Sequence, residues 1–279
     1  MKRWQRIWPH AVLAPAAFVA LYPALWVLKT ALSRSQQLDP SPSPLPREWV
    51  FDQFRAVLST TDSAGHWLFG RQLLNSLTVA GATTLVGLLL ACTAAYAFSR
   101  FRFPGREMGL AALLLTQVFP SVVMMVPLYL ILKNLHLLDS LAGLVLVYAT
   151  TSVPFSAFML KGYFDTLPRE LEEAAAVDGA SRWTAFWRVM LPLARPALVV
   201  TALFGFMSAW NEFVLASTLL TSERSFTLPV ALQRHIGEYQ TNWGLFAAGA
   251  ILTSLPVMAL FYALQKHLVG GLTAGGVKG

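Results

Sequence analysis

The chain has 279 residues, of which 56% are hydrophobic and only 13% charged, against the charged fraction of roughly a quarter expected of soluble domains. That excludes an ordinary water-soluble domain and points to a membrane protein. The net charge of +7 does not read as a nucleic-acid footprint, because the basic residues are scattered around apolar spans and no basic, aromatic-laced groove motif occurs. Cys92 is the only cysteine, so neither a disulfide framework nor a cysteine zinc site is available.

Lys2, Arg3 and Arg6 precede an apolar run from Ala11 to about Leu28. The order resembles a secretory signal, but the run is too long for a signal core and further spans follow, so it is expected to be a retained first helix. A bilayer core of roughly 30 Å takes about twenty apolar residues per helix. On that measure six spans are expected, near Val12 to Leu32, Leu74 to Phe98, Met108 to Leu132, Leu141 to Lys161, Pro196 to Leu220 and Gly244 to Gln265. All must be helical, because lipid offers no water to open backbone groups. The expected fold is all-α and polytopic, one transmembrane domain over residues 1–279.

An even span count puts both termini on one side. Lys2, Arg3 and Arg6, then Arg100, Arg102 and Arg106, then Lys161, Arg169, Arg182, Arg188 and Arg195, and finally Lys266 and Lys278 share that side, most of the 21 basic residues. The positive-inside rule makes it the cytoplasm, together with the loops around Pro104 and over residues 162–195.

The long outer loop, residues 33–73, opens with a proline- and serine-rich connector, SPSPLP. Trp49, Phe51, Phe54, Val57 and Leu58 then suggest a short amphipathic helix on the outer membrane face, structural or touching a binding protein. In the third span Gln117 precedes Pro120, and Pro127 follows; the prolines predict a kinked helix, lining a pore or serving packing alone. Thr150, Thr151, Ser152 and Pro154 make a similar polar bend in the fourth, lining a path or bonding their own backbone. Glu212, beside Asn211 and Trp210, lies about eight residues, roughly 12 Å, inside the fifth span. An acid at that depth must face protein or water, as a structural pair with a buried donor or as part of a translocation cavity, and Trp210 offers a sugar-stacking ring. The outer loop that follows presents Arg234, His235, Glu238, Tyr239 and Gln240. No second histidine stands at ligand spacing from His235, so no metal site is expected. The tail, residues 268–279, is flexible by composition.

The segment ELEEAAAVDGASRWTAFWRVMLPLARP, Glu170 to Pro196, interrupts this apolar half. Thr166 is expected to cap a first helix with Glu170, Glu172 and Glu173 in its first turn, ended by Gly179. Ser181 is expected to cap a second, with Trp183, Phe186, Trp187 and Met190 on one face, ended by Pro192. Taken alone, this is an amphipathic hairpin on the membrane surface.

Its residues Glu173-Ala174-Ala175, Asp178-Gly179-Ala180, Leu191-Pro192 and Pro196 resemble, in order and spacing, the EAA loop of permease subunits of binding-protein-dependent ABC importers. In that family the loop docks into a cleft on the cytoplasmic ATPase subunit; small Ala174 and Ala175 suit close approach and Glu173 supplies a charge. Phe246-Ala247-Ala248-Gly249, Leu268-Val269, the terminal GLTAGGVKG, Phe119-Pro120-Ser121 and Asn75-Ser76-Leu77 extend the resemblance over the chain, closest to the smaller, MalG-type permease of maltose and maltodextrin importers. The Trp210-Asn211-Glu212 segment is closer to general carbohydrate permeases. The resemblance implies contact of Thr273, Ala274, Gly275, Gly276, Val277 and Lys278 with the ATPase, and a multi-pass protein of the bacterial inner membrane. Its implied partners are a larger homologous permease, two ATPase subunits and a periplasmic or lipid-anchored sugar-binding protein, with a neutral sugar as cargo. No G-x-x-x-x-G-K-[ST] loop occurs, so no cofactor is expected on this chain, and ATP and magnesium belong to the ATPase partners. The open alternatives are a permease for trehalose or glycerol phosphate, and an ion-coupled secondary transporter with Glu212 as its coupling group.

Overall fold

The computed structural model describes the backbone of residues 4–35, 37–38, 41–46, 48–237 and 241–276, and of these the side chains within 9–265. The described residues form helices and no sheet strand. They divide into two compact units, Met1–Leu73 with Val230–Pro256, and Leu74–Pro229 with Val257–Gly279.

The first unit begins with α1 (Trp4–Ala31), which holds Pro9, Pro15 and Pro23. Lys29, in its last turn, is 2% exposed. Its ammonium donates to the carbonyl and hydroxyl of Ser41, at 2.8 and 3.1 Å, so one cation both suits the helix C-terminus and folds the Ser/Pro connector back onto it. The expected short helix is α2 (Asp52–Leu58). Val57 is buried while Trp49, Phe51 and Leu58 stay exposed. α3 (Leu68–Arg100) starts at Leu68 rather than Leu74. Leu68 N–H donates to Thr60 O at 2.9 Å, Trp67 Nε1 donates to Leu58 O at 2.5 Å, and Leu68 and Phe69 are buried. Polar Arg71 and Gln72 therefore lie inside the helix, which begins within the loop expected over residues 33–73.

The third expected span is two helices, α4 (Arg106–Leu115) and α5 (Ser121–Asn134). Pro120 has no N–H to donate and pushes its predecessor out of helical geometry; it takes up φ −57°, ψ 130° as the residue before α5. In place of the expected kink the helix is interrupted between Leu115 and Ser121. α6 (Leu141–Thr166) is capped by Ser140, whose hydroxyl accepts from Gly143 N–H at 3.0 Å. Beyond it come α7 (Glu170–Val177), α8 (Arg182–Ala185), a π-turn (Phe186–Met190), α9 (Leu191–Leu193), α10 (Arg195–Asn211), α11 (Val214–Leu219), α12 (Leu228–Gln233) and α13 (Trp243–Gly276).

Among the described residues four helices are long and apolar enough to cross a membrane, Pro9–Ala31, Leu68–Arg100, Leu141–Thr166 and Trp243–Gln265. A fifth candidate is the pair Arg182–Leu193 and Arg195–Asn211, bent by 78°. Six uninterrupted spans are thus not what forms. The third is broken at Pro120, and the fifth, expected to run unbroken from Pro196 to Leu220, is broken at Glu212. In the second unit α4 and α10 pack on α6, and α11 packs on α5 and α6.

Candidate functional site

Residues 170–193 form the expected hairpin, with two corrections. Thr166 does not cap α7; it is the last residue of α6, and its hydroxyl donates to Tyr163 O at 2.7 Å. α7 ends in a Schellman motif, in which Ala180 N–H donates to Ala175 O at 2.9 Å and Gly179 N–H to Ala176 O at 3.0 Å. That closure puts Gly179 at φ +84°, where a Cβ is strained. Ser181 caps α8 as expected, accepting from Thr184 N–H at 3.2 Å. Pro192 does not end the second helix, which continues through Leu193. A proline there cannot donate to the carbonyl of residue 188 and its ring crowds that oxygen; the backbone widens into the π-turn, and Leu191 N–H reaches back to Phe186 O.

The aromatic face divides. Phe186 and Met190 are 1% and 0% exposed, whereas Trp183 and Trp187 remain 62% and 42% exposed. The buried pair joins Ala91, Cys92, Ala95 and Tyr96 of α3 with Ala157, Leu160 and Phe164 of α6 in one cluster. Small residues at the α3–α6 contact let the helices approach closely, and Cys92 is simply part of that packing.

A polar lock completes the attachment. The Glu172 carboxylate pairs with the Arg100 guanidinium, and Tyr96 O–H donates to it at 2.7 Å. The side chains of Arg100 and Glu172 are only 8% and 17% exposed. Arg100 also donates to Leu167 O at 2.9 Å, and Ser99 donates to Asp165, which in turn accepts from Lys161 at 2.6 Å. The EAA-type spacing points to Glu173, and no sequence pattern joins Glu172 to Tyr96 and Arg100. Three acids crowd the first turn of α7, and only the packing tells which one turns inward. Glu173, Ala174, Asp178, Gly179 and Pro192 are left exposed, Ala175, Ala180 and Leu191 half-buried, and Val177 88% exposed. The hairpin thus holds an open face on a fixed base.

Farther along the second unit, the polar residues of the broken spans meet. Gln117 Nε2 donates to Thr151 O at 3.1 Å and Thr151 Oγ1 to Tyr148 O at 2.9 Å, while Tyr148 O–H donates to the Glu212 carboxylate. That carboxylate also accepts from the N–H groups of Leu215 and Ala216, at 2.8 and 3.1 Å. Glu212 therefore caps α11 across the break that interrupts the fifth span, which satisfies donors lipid could not. Thr150, Thr151 and Ser152 bond the carbonyls of Val147, Tyr148 and Ala149 in their own helix. Trp210 is 2% exposed and stacked on Phe206, ring centroids 5.5 Å apart, so its face is occupied. Asn211 bonds Met207 O at 2.9 Å and is exposed, and Pro120 is exposed at the α4–α5 break.

Residues 84–273, which contain the hairpin, the lock and both breaks, match the family described as the binding-protein-dependent transport system inner membrane component. The chain belongs to that family. It is similar to the galactooligosaccharides transport system permease protein GanQ of Bacillus subtilis, 35% identical over 100% of this chain and 98% of that one. It is likewise similar to the maltodextrin transport system permease protein MdxG of Bacillus subtilis, 36% identical over 98% of this chain and 96% of that one. Among solved structures, a bacterial ABC transporter involved in import of the acidic polysaccharide alginate aligns with TM-score 0.77 and 25% identity, covering 95% of this chain and 98% of the other. The protein is a permease subunit of a carbohydrate ABC importer, a multi-pass protein of the inner membrane, and ATP hydrolysis resides in partner subunits.

At the opposite end of α3 the permease holds a loop from two sides. Asn75 Nδ2 donates to Arg224 O and Phe226 O at 2.8 and 3.0 Å, and Ser76 Oγ accepts from Leu228 N–H at 2.7 Å. Asp139, at φ +53°, accepts from the N–H groups of Thr221 and Ser222 at 2.9 and 3.0 Å. Burial works to raise the Asp139 carboxyl, but those N–H groups outweigh it and hold it below its ordinary value. Nothing in the sequence flagged Asp139; its one signal was position, in the short link between two apolar runs.

Of the expected binding-protein contacts, Arg234 and His235 lie in the turn after α12, where burial lowers the His235 pKa. Glu238, Tyr239 and Gln240 lie outside the described residues. α13 continues through Thr273, Ala274, Gly275 and Gly276, so the tail expected to be loose begins as helix. Val277 and Lys278 lie outside the described residues.

Proposed function

We propose that this permease carries neutral oligosaccharides of the maltodextrin type, and that its α7–α8 hairpin is the part seated in the ATPase. One observation carries the coupling reading: the hairpin exposes Glu173, Ala174 and Val177 while Glu172, Tyr96 and Arg100 lock its inner face to α3. A push on such a hairpin moves α3 and α6 with it instead of dissipating in a loop. In this reading both termini are cytoplasmic, Thr273 to Lys278 reach the ATPase, and residues 221–240 face an external binding protein. A larger homologous permease and two ATPase subunits complete the assembly.

The neutral cargo is supported by the make-up of the bonded string Gln117, Thr151, Tyr148 and Glu212, with Asn211 beside it, which contains no cation. A glycerol phosphate would call for one. Relatives named for galactooligosaccharides and maltodextrin keep a second reading, another neutral oligosaccharide, in view. Family membership sets the ion-coupled transporter aside. The test is ATP hydrolysis by the reconstituted complex with its binding protein, loaded in turn with maltodextrin, trehalose and galactooligosaccharide. Stimulation by maltodextrin is the expected result; stimulation by another sugar alone moves the cargo assignment to that sugar.

A further inference from the structure

Beside the lock, a cleft of about 460 Å³ opens between the end of α3 and α7. Its floor is Tyr96 with the paired Arg100 and Glu172, which neutralise one another. Arg102, Arg169 and Arg182 line it together with Phe101, Ala176 and the Glu173 side chain. Arg182 lies over the Phe101 ring, 5.1 Å from its centroid; that uses the face of the guanidinium and leaves its edge donors aimed elsewhere. The guanidiniums of Arg102 and Arg169 have no carboxylate partner among the described residues. Three exposed guanidiniums thus line one cleft with a single acid among them, Glu173, that has no cation paired to it among the described residues, an excess of positive charge that favours an anion with several acceptor oxygens.

We infer that this cleft binds a phosphate-bearing anion, held by Arg102, Arg169 and Arg182. Guanidinium forks match phosphate oxygens two at a time, and the volume admits a substituent beyond the phosphate. Two sources share this chemistry. The cleft lies where the apolar runs of α3 and α6 give way to charge, which suits a phospholipid headgroup, and its open side suits a soluble phosphate ester such as a phosphorylated sugar. The inference rests on the reading that the hairpin end is cytoplasmic.

The test uses the intact complex, purified with its ATPase subunits and stripped of bound lipid. One arm measures its partition of phosphatidylglycerol from phosphatidylcholine vesicles, and the other measures glucose 6-phosphate binding by equilibrium dialysis. The variants are Arg102→Gln, Arg102→Gln with Arg169→Gln, and, as a control at an exposed arginine outside the cleft, Arg195→Gln. Losing one charge-assisted contact weakens binding about tenfold, so the single variant drops by that factor and the double further, while the control matches the parent. Wild-type affinity falls with added salt, as screening requires. Binding in the vesicle arm alone makes it a headgroup site, and binding in the dialysis arm alone makes it a soluble-ester site. Equal binding by parent, Arg102→Gln and control in both arms overturns the inference. Sugar-stimulated hydrolysis recorded on the same wild-type preparation keeps the coupling reading separate, because its absence counts against that reading and leaves the anion result intact.

Discussion

The two ends of α3 are fastened by different chemistry. At the hairpin end the fastening is charge on charge, Arg100 to Glu172, with Tyr96 and the Ser99–Asp165–Lys161 chain beside it. At the other end Asn75 and Ser76 reach backbone groups of the 224–228 loop, and Asp139 grips the same loop at Thr221 and Ser222. A buried ion pair tolerates little change, because either partner left alone is an uncompensated charge. Side-chain bonds to backbone are individually weaker and shared among several residues. The hairpin end is therefore the stiffer attachment, the one that would transmit force under the proposed coupling role, and the loop end holds a shape.

The most damaging break of that contrast is Glu172→Ala, which strands Arg100. It is expected to cost about 3–5 kcal/mol, read as a large drop in thermal stability of the purified complex, with Arg100→Met restoring part of the loss in the double variant. No recovery would show that the pair is not the fastening. Gly179→Pro and Glu173→Lys come next. Both should leave the chain inserted and the lock intact yet abolish sugar-stimulated ATP hydrolysis, since φ +84° is closed to proline and the exposed acid is reversed. Normal stimulation in either removes the hairpin from the docking role.

Tyr148→Phe tests the region between the two ends. Losing its hydroxyl from Glu212 should lower stability by about 1–2 kcal/mol, and Glu212→Ala should cost more, because the first turn of α11 then loses its acceptor. The smallest effect belongs to Asp139→Asn. The carboxyl is held below its ordinary value in the folded protein, so its contribution is complete above about pH 4, the unfolded value, and fades as pH falls through the lower folded one. Melting curves of the wild type and Asp139→Asn should differ modestly at neutral pH and converge in strong acid. A difference that persists there would assign the clamp to something other than the charge.

By itself the amino-acid order determined the membrane class, the placement of most apolar helices and the helix–glycine–helix hairpin with its Ser181 cap, because span length, hydropathy and capping chemistry are local properties. The EAA-type spacing likewise carried the family. Tertiary structure decided what depends on which side chains meet. It selected Glu172 over Glu173 as the inward acid and turned Thr166 away from α7. It made Pro120 a full break, used Glu212 to cap a helix, and recruited Asp139 to a clamp. A carboxylate, a proline or an arginine can announce that its helix must bend or its charge be met. Which partner meets it is set by neighbours tens of residues away in the chain, and those are chosen by packing.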